Sequence, residues 1–482
     1  MAAALRRPGL PKSAVILIAA VGLLMADVVA RGGGKIPAAV VLAIVVMMVA
    51  AHVASRWSWL ISGLVIVDLL TPSDRRYTLA GMNAFQLEPY RVFVALLLVG
   101  WIASLLCDRR IKIRRTGFEG PLGLILFAIV GSMLLNPSRV SGTMSFVIKS
   151  FSLEASFLLV IYAVVSVVRT RAVLDWLIKV VVYAGAFEGL AAIIERKKHF
   201  NIFNHERLLL PIFHFNEQVL GSLSRGGSLR AQASSGQPIE LSAVMAILLP
   251  FAIYLIATTR QRRWYVAALF LLAGNFAGGS RTGMIASLVI LIVFLWLRPR
   301  QTVKCWPALI PVFIVIHFLA PGAIGTLYSS FNPEGGLLAS EQNGTVIGPG
   351  GVEENTSRLS RWGPELHAFR NYNPLLGEGY GTRVNGRTSL TEAATASTSG
   401  GWGNYSFSGQ QSPYSASKDN AEILDDQWLS TLLETGVLGL MGWLWLFLRT
   451  VRRLGARAKL ERDVPEGFLP VALAASIAGF AV

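Results

Sequence analysis

Charge is scarce in this chain, and acid is scarcer than base. Only 15% of the 482 residues are Asp, Glu, Lys or Arg, against 53% hydrophobic. A soluble domain of this size cannot cover itself with so few ionised groups. Apolar runs of about 16 to 20 residues recur instead, the length that crosses a bilayer as a helix. Asp and Glu number 28 and Lys and Arg 44, so the formal net charge is +16. In a soluble chain that excess would suggest nucleic acid. Here the bases cluster in short turns between apolar spans, a pattern of membrane orientation, and nucleic acid is excluded as a partner.

Cysteine is nearly absent as well. Cys107, beside Asp108, Arg109 and Arg110, and Cys305, after Lys304, each fall at the basic end of a span. Both are therefore expected in the reducing cytosol, where neither a disulfide nor a metal site follows. No P-loop, HExxH, CxxC or nucleophile elbow occurs, so the sequence calls for no cofactor and no metal. NGT at Asn343 and NYS at Asn404 match a glycosylation sequon whose use depends on the host.

What is present is a series of spans, placed near residues 13–30, 36–54, 57–70, 89–107, 120–135, 151–168, 173–195, 238–258, 264–279, 282–297, 306–320, 428–448 and 466–482. The third is short and the ninth and tenth nearly abut. The expectation is thus an all-α polytopic membrane protein with about 12–14 transmembrane helices and one large extracytoplasmic loop between the last two or three. Arg6, Arg7 and Lys12 ahead of the first run resemble a signal peptide, but further spans follow closely and the run is read as an uncleaved helix. The last span reaches Val482 with no polar flank, the pattern of a chain that continues.

Orientation comes from the turns. Arg109, Arg110, Lys112, Arg114 and Arg115 follow the fourth span, Arg169 and Arg171 the sixth, and Arg260, Arg262 and Arg263 the eighth. Arg298, Arg300 and Lys304 follow the tenth, and Arg449, Arg452, Arg453, Arg457 and Lys459 the twelfth. All sit after even-numbered spans, which puts these turns and the N-terminus in the cytoplasm and the protein in the inner membrane. Four regions result: an N-terminal bundle 1–237 with an outer loop 196–237, a core 238–320 with the GSRTG turn, an extracytoplasmic loop 321–427, and C-terminal helices 428–482. Three polar features remain on the outer side: 196–237, the Gly278 to Gly283 turn, and 321–427.

Each outer feature carries candidate residues. Arg230, in SLRAQASSGQPIELSAV, precedes a Ser-Gly turn and a helix whose free N–H groups face outward, a setting that attracts phosphate or pyrophosphate. An interfacial arginine reaching lipid headgroups would look the same. Arg281 follows Gly278, Gly279 and Ser280 at the start of another span, where glycines let the backbone approach a ligand. Within the loop, TSRLSRWGPELHAFRNYNPLLGEGYG has the spacing of a short amphipathic helix (Leu359, Trp362, Leu366, Phe369) ending in a turn-rich segment. Arg358, Arg361 and Arg370 there could bind acidic glycan or phosphate, or form the solvated face of that helix, and His367 could be an acid, a base or a structural residue. Asp425 and Asp426 stand at the mouth of the next span, as helix caps or as a general base for a sugar hydroxyl. Glu434, inside that span, must face protein or water. Glu188, Glu195 and Glu240 lie near span ends and do not by themselves make a transport path.

In this order, LRAQASSGQPIELSAVMAILLP, GSRTG, RLSRWGPELHAFRNYNPLLGEGYG and DDQWLSTLLETGVLGL resemble the O-antigen ligase and polymerase superfamily of integral membrane glycosyltransferases. The resemblance covers about residues 225 to 445. It implies a glycan donor on a polyprenyl pyrophosphate, a glycan or lipid-glycan acceptor among membrane lipids, and metal-independent transfer with Arg230 and Arg281 on the pyrophosphate. Ligases of this type read His-Asn-x-Tyr-Leu where this chain has Asp425, Asp426, Gln427, Trp428 and Leu429. The position of the family's base thus carries Asp425, and burial has to raise the basicity of a carboxylate there. Polymerase and ligase stay open, the missing histidine tilting slightly toward polymerase or a non-lipopolysaccharide acceptor. The competing class is a transporter or flippase of lipid-linked sugars, and a third is a non-catalytic membrane scaffold.

Overall fold

The computed structural model describes residues 57–72, 77–79, 86–87, 89–107, 111–208, 213–215, 224–225, 228–304, 314, 317–318, 345–347, 353–355, 366–367, 369, 373–382, 427–461, 464 and 467–481. The expected spans at 13–30 and 36–54, and nearly all of 306–320, lie outside these residues. The described helices are α1 Trp57–Leu70, α2 Pro89–Cys107, α3 Glu119–Leu135, α4 Pro137–Gly142, α5 Met144–Val167 and α6 Arg171–Lys198. They continue as α7 Pro238–Thr259, α8 Arg262–Gly278, α9 Arg281–Leu297, α10 Pro299–Lys304, α11 Gln427–Leu460 and α12 Phe468–Phe480. Helices α2, α5, α6, α7 and α11 are long and apolar enough to cross a membrane, and α1, α3, α9 and α12 are shorter apolar helices. The protein is all-α and polytopic. Among the described residues, strands of two or three residues occur in the polar connections, as an antiparallel sheet of order β2-β1-β3 (Gln86–Leu87, Tyr77–Leu79, Phe213–Phe215) and two small hairpins.

The chain divides into two compact units, one of Met1–Asp68, Pro89–Arg114 and Leu159–Val180, the other of Leu69–Glu88, Arg115–Leu158 and Val181–Val482. The described core of the first packs Leu60, Ile61 and Leu64 of α1 against Val94, Leu97 and Trp101 of α2, with Ala163 and Leu177. Trp176 donates from its indole N–H to Ser62 Oγ at 3.0 Å, so a polar group there is satisfied inside the layer.

In the second unit α7, α9, α11 and α12 share a core of Ala246, Ala286, Ile290, Phe294, Leu297, Ala458, Val471, Ala474 and Ala475. Lipid removes the hydrophobic drive between helices, so small residues that admit close backbone approach hold such bundles. The same logic joins α6 to α8, where a Cβ on Gly274 would lie 2.7 Å from Gly189 Cα. Helix ends follow local chemistry. Pro238 opens α7 after an extended Gln237, and Gly279, at φ 59°, closes α8 in the left-handed region that favours glycine.

The unit has two chemically distinct ends. Arg298 Nη2 donates to Glu461 O at 3.0 Å and Arg453 Nη1 to Gly117 O at 3.1 Å. The basic end of α9 therefore meets the end of α11, and the basic part of α11 meets the segment before α3. At the opposite end Trp428 Nε1 of α11 donates to Ala481 O, just past α12, at 3.0 Å. Arg196 of α6 reaches Ala277 O of α8 there at 2.8 Å, and the candidate residues gather on this side.

The region expected as span 428–448 is longer and broken. Helix α11 continues to Leu460, because hydropathy marks only the apolar part whereas helical hydrogen bonding runs on through Arg449 to Lys459. It kinks at Gly436, with φ 69° and ψ −170°.

Candidate functional site

The first cluster forms where α6 and α8 end and α7 and α9 begin. Gly278 packs so closely on α7 that an added Cβ would lie 2.7 Å from Pro238 O. Ser242 Oγ donates to Asn275 O at 2.9 Å, and Asn275 Nδ2 donates to Gly283 O at 3.2 Å and Ser287 Oγ at 2.7 Å. These bonds fix the turn that delivers Arg281 as the first residue of α9. Arg230 lies against the same turn: its Nε donates to Gly278 O at 3.2 Å, and Ala231 N donates to Ala277 O at 3.1 Å. A Cβ on Gly279 would stand 3.6 Å from Arg196 Nη1 and 3.8 Å from Arg230 Cγ. Arg196 and Arg230 thus flank Gly279, two residues before Arg281. Cations at the N-terminus of α9 add to the positive end of its dipole, a combination that suits an anion.

The chain after Arg230 is pinned from α6. Glu195 Oε2 accepts the N–H groups of Gln232 at 3.1 Å and Ala233 at 2.7 Å, while Asn201 Nδ2 donates to Ala233 O at 3.0 Å. Glu188 Oε1 accepts from Ser234 Oγ at 2.8 Å and Ser235 Oγ at 3.1 Å.

The second cluster surrounds the break in α11. A kink frees carbonyls above it and N–H groups below it, which is untenable in lipid unless other groups take them up. The segment 373–382 does so. Glu378 N donates to Leu433 O at 2.9 Å and Gly379 N to Glu434 O at 3.4 Å, while Val437 N donates to Pro374 O at 3.0 Å and Leu438 N to Leu375 O at 3.2 Å. Asn373 Oδ1 accepts Leu375 N at 2.9 Å and shapes the turn, and Gly381 N donates to Glu434 Oε2 at 3.2 Å. From the neighbouring helices Ser132 Oγ donates to Glu434 O, and Asn136 Nδ2 to Gly377 O at 3.1 Å. Arg139 pairs with Glu378 at 3.1 Å, the carboxylate being only 1% exposed. Burial, and then the charges of Glu154 and Glu434, hold the Tyr380 phenol above its ordinary range.

Of the sequence-predicted residues, Arg230 and Arg281 come to one corner. His367 is exposed, on the turn whose Leu366 and Phe369 pack against Leu429 and Leu433 of α11. Asp425, Asp426, Arg358, Arg361 and Arg370 lie outside the described residues. Glu434 faces protein, as a charged residue in a span must, and so do Glu188 and Glu195, whose partners in the Arg230 loop are invisible to hydropathy. Glu378, Arg139 and Arg196 were missed altogether. For Glu378 the GEGYG run was the available signal, since glycines at alternate positions mark close backbone approach.

A bundle of apolar helices with buried acids and arginines gathered at one end defines a polytopic membrane protein with a polar site at the bundle end. Residues 266–444 match the family model described as O-antigen ligase. The match supports the O-antigen ligase and polymerase superfamily, and with it a glycosyltransferase-like enzyme, a glycan polymerase or ligase of surface polysaccharide assembly. It takes in Arg281, Glu378, Glu434 and the α11 break, whereas Arg230, Glu188, Glu195 and Arg196 lie before it. No curated protein matches the chain.

Proposed function

We propose that the protein is an extracytoplasmic glycan polymerase or ligase that transfers a glycan from a polyprenyl-pyrophosphate donor to a sugar hydroxyl, without a metal, in the inner membrane. One observation carries this: Arg230 lies across Gly278 with Arg281 opening the adjoining helix, at the end of the bundle opposite the basic turns. Basic turns face the cytoplasm, so this corner faces the outer leaflet.

The acceptor oxygen attacks the anomeric carbon as the bond from that carbon to the pyrophosphate oxygen breaks. The electron pair goes to the pyrophosphate, whose growing charge Arg230 and Arg281 stabilise. The hydroxyl proton goes to a base, for which Asp425 is the candidate, with Asp426 beside it. Arg358, Arg361 and His367 are assigned to acceptor glycan, and the loop 321–427 to enclosing it. A carrier is the weaker reading, because the groups freed at the α11 break are taken up by residues 373–382 rather than left for a ligand.

The test is transfer from labelled donor in proteoliposomes. Arg230→Ala and Arg281→Ala should each abolish formation of the new glycosidic bond with expression intact, and unchanged product from both variants would sink the proposed site. Loss of the activity in cells leaving single repeat units identifies a polymerase, and unattached polymer identifies a ligase.

A further inference from the structure

We infer that Glu195, with Glu188 and Arg196 of the same helix, is a positioning residue of the anion corner. These three side chains hold the Arg230 loop against the Gly278 turn, in the arrangement that sets Arg230 beside the start of α9. The inference rests on the anion-binding role proposed above for Arg230 and Arg281.

Three observations lead to it. First, Glu188 and Glu195 are 1% and 8% exposed, and Glu195 sits in the last turn of α6. Acids are disfavoured at a helix C-terminus and costly when buried. Hydrogen bonds from four consecutive loop residues, Gln232 to Ser235, offset that cost.

Second, the loop adopts a shape it would not hold alone. Ala233 has φ 51°, a left-handed conformation that residues with a Cβ rarely take. Glu195 Oε2 on its N–H and Asn201 Nδ2 on its carbonyl hold the two peptide groups that flank its Cα.

Third, Arg196 Nη1 donates at once to Leu229 O, the residue before Arg230, at 3.1 Å, and to Ala277 O, the residue before Gly278, at 2.8 Å. One guanidinium therefore sets the spacing between the two backbone segments that carry the anion contacts. The Ser235 hydroxyl donates to Glu188, and the Ser234 hydroxyl lies between Glu188 Oε1 and Leu69 O, so the loop is braced toward the bundle.

Binding of a short-chain polyprenyl pyrophosphate to the full chain in micelles tests this. Arg230→Ala should weaken binding at least about tenfold, as loss of a charge-assisted contact does. Glu195→Ala should weaken it about tenfold as well, and the Glu195→Ala/Arg230→Ala double variant should be no weaker than Arg230→Ala alone, because Glu195 acts through Arg230. Glu195→Gln keeps an oxygen at the same reach and should recover binding to within about threefold of wild type. If Arg230→Ala binds the probe like wild type, the anion reading itself fails. If Arg230→Ala weakens binding but Glu195→Ala does not, or the two losses multiply, the positioning role is overturned. Should Glu195→Ala not fold, Ser234→Ala/Ser235→Ala removes the bracing from the loop side only. It should weaken the probe about threefold, and wild-type binding there overturns the inference.

Discussion

Gly436→Ala is the sharpest perturbation of the broken helix. At φ 69° and ψ −170° the residue occupies a region open essentially to glycine, and forcing a residue with a Cβ there costs about 1–3 kcal/mol. The added methyl would also overlap the backbone of Leu375 and Leu376, which cannot rotate away as a side chain would. Segment 373–382 must then withdraw, and four backbone hydrogen bonds across the break go with it. At about 1 kcal/mol each they bring the total to about 5–7 kcal/mol. Gly123→Ala is the control, since nothing lies within 4 Å of a Cβ added there. Thermal unfolding in micelles and limited proteolysis of the loop read the effect. Gly436→Ala should melt well below wild type and expose the chain around Gly377, with Gly123→Ala unchanged on both counts. A Gly436→Ala protein melting within about 2 °C of wild type, with its loop protected, would refute the idea that the segment is locked into the break.

Other substitutions probe the same two clusters. Arg139→Ala strips the buried Glu378 of its ion pair and should cost about 3–5 kcal/mol, whereas Arg139→Met/Glu378→Met should cost clearly less, because no charge is left behind. Gly283→Ala sets a methyl 2.5 Å from Ser242 Cβ; the resulting shift of α9 should cost about 1–3 kcal/mol and reduce glycan transfer along with it. Trp428→Phe deletes the donor to Ala481 O and should lower stability by about 0.5–1.5 kcal/mol in thermal unfolding, with transfer retained.

Among the described residues, the sequence alone determined which long apolar segments are helical, because a bilayer imposes its length and polarity on each span separately. The expected boundaries 89–107, 238–258 and 282–297 coincide with Pro89–Cys107 and differ by one residue from Pro238–Thr259 and Arg281–Leu297. It also singled out Arg230 and Arg281, each recognisable from its own glycines and its place before a helix. It did not show that LLETGVLGL is interrupted. Apolar composition reads the same through a break, and what allows the break is a hydrogen-bonding partner far away in the chain, at Pro374 to Gly379. Glu188 and Glu195 were likewise mute in sequence, since their partners lie 46 and 37 residues downstream. Only the tertiary structure decided these pairings. A buried backbone or carboxylate group in a membrane must be satisfied by something, but hydropathy does not record by what.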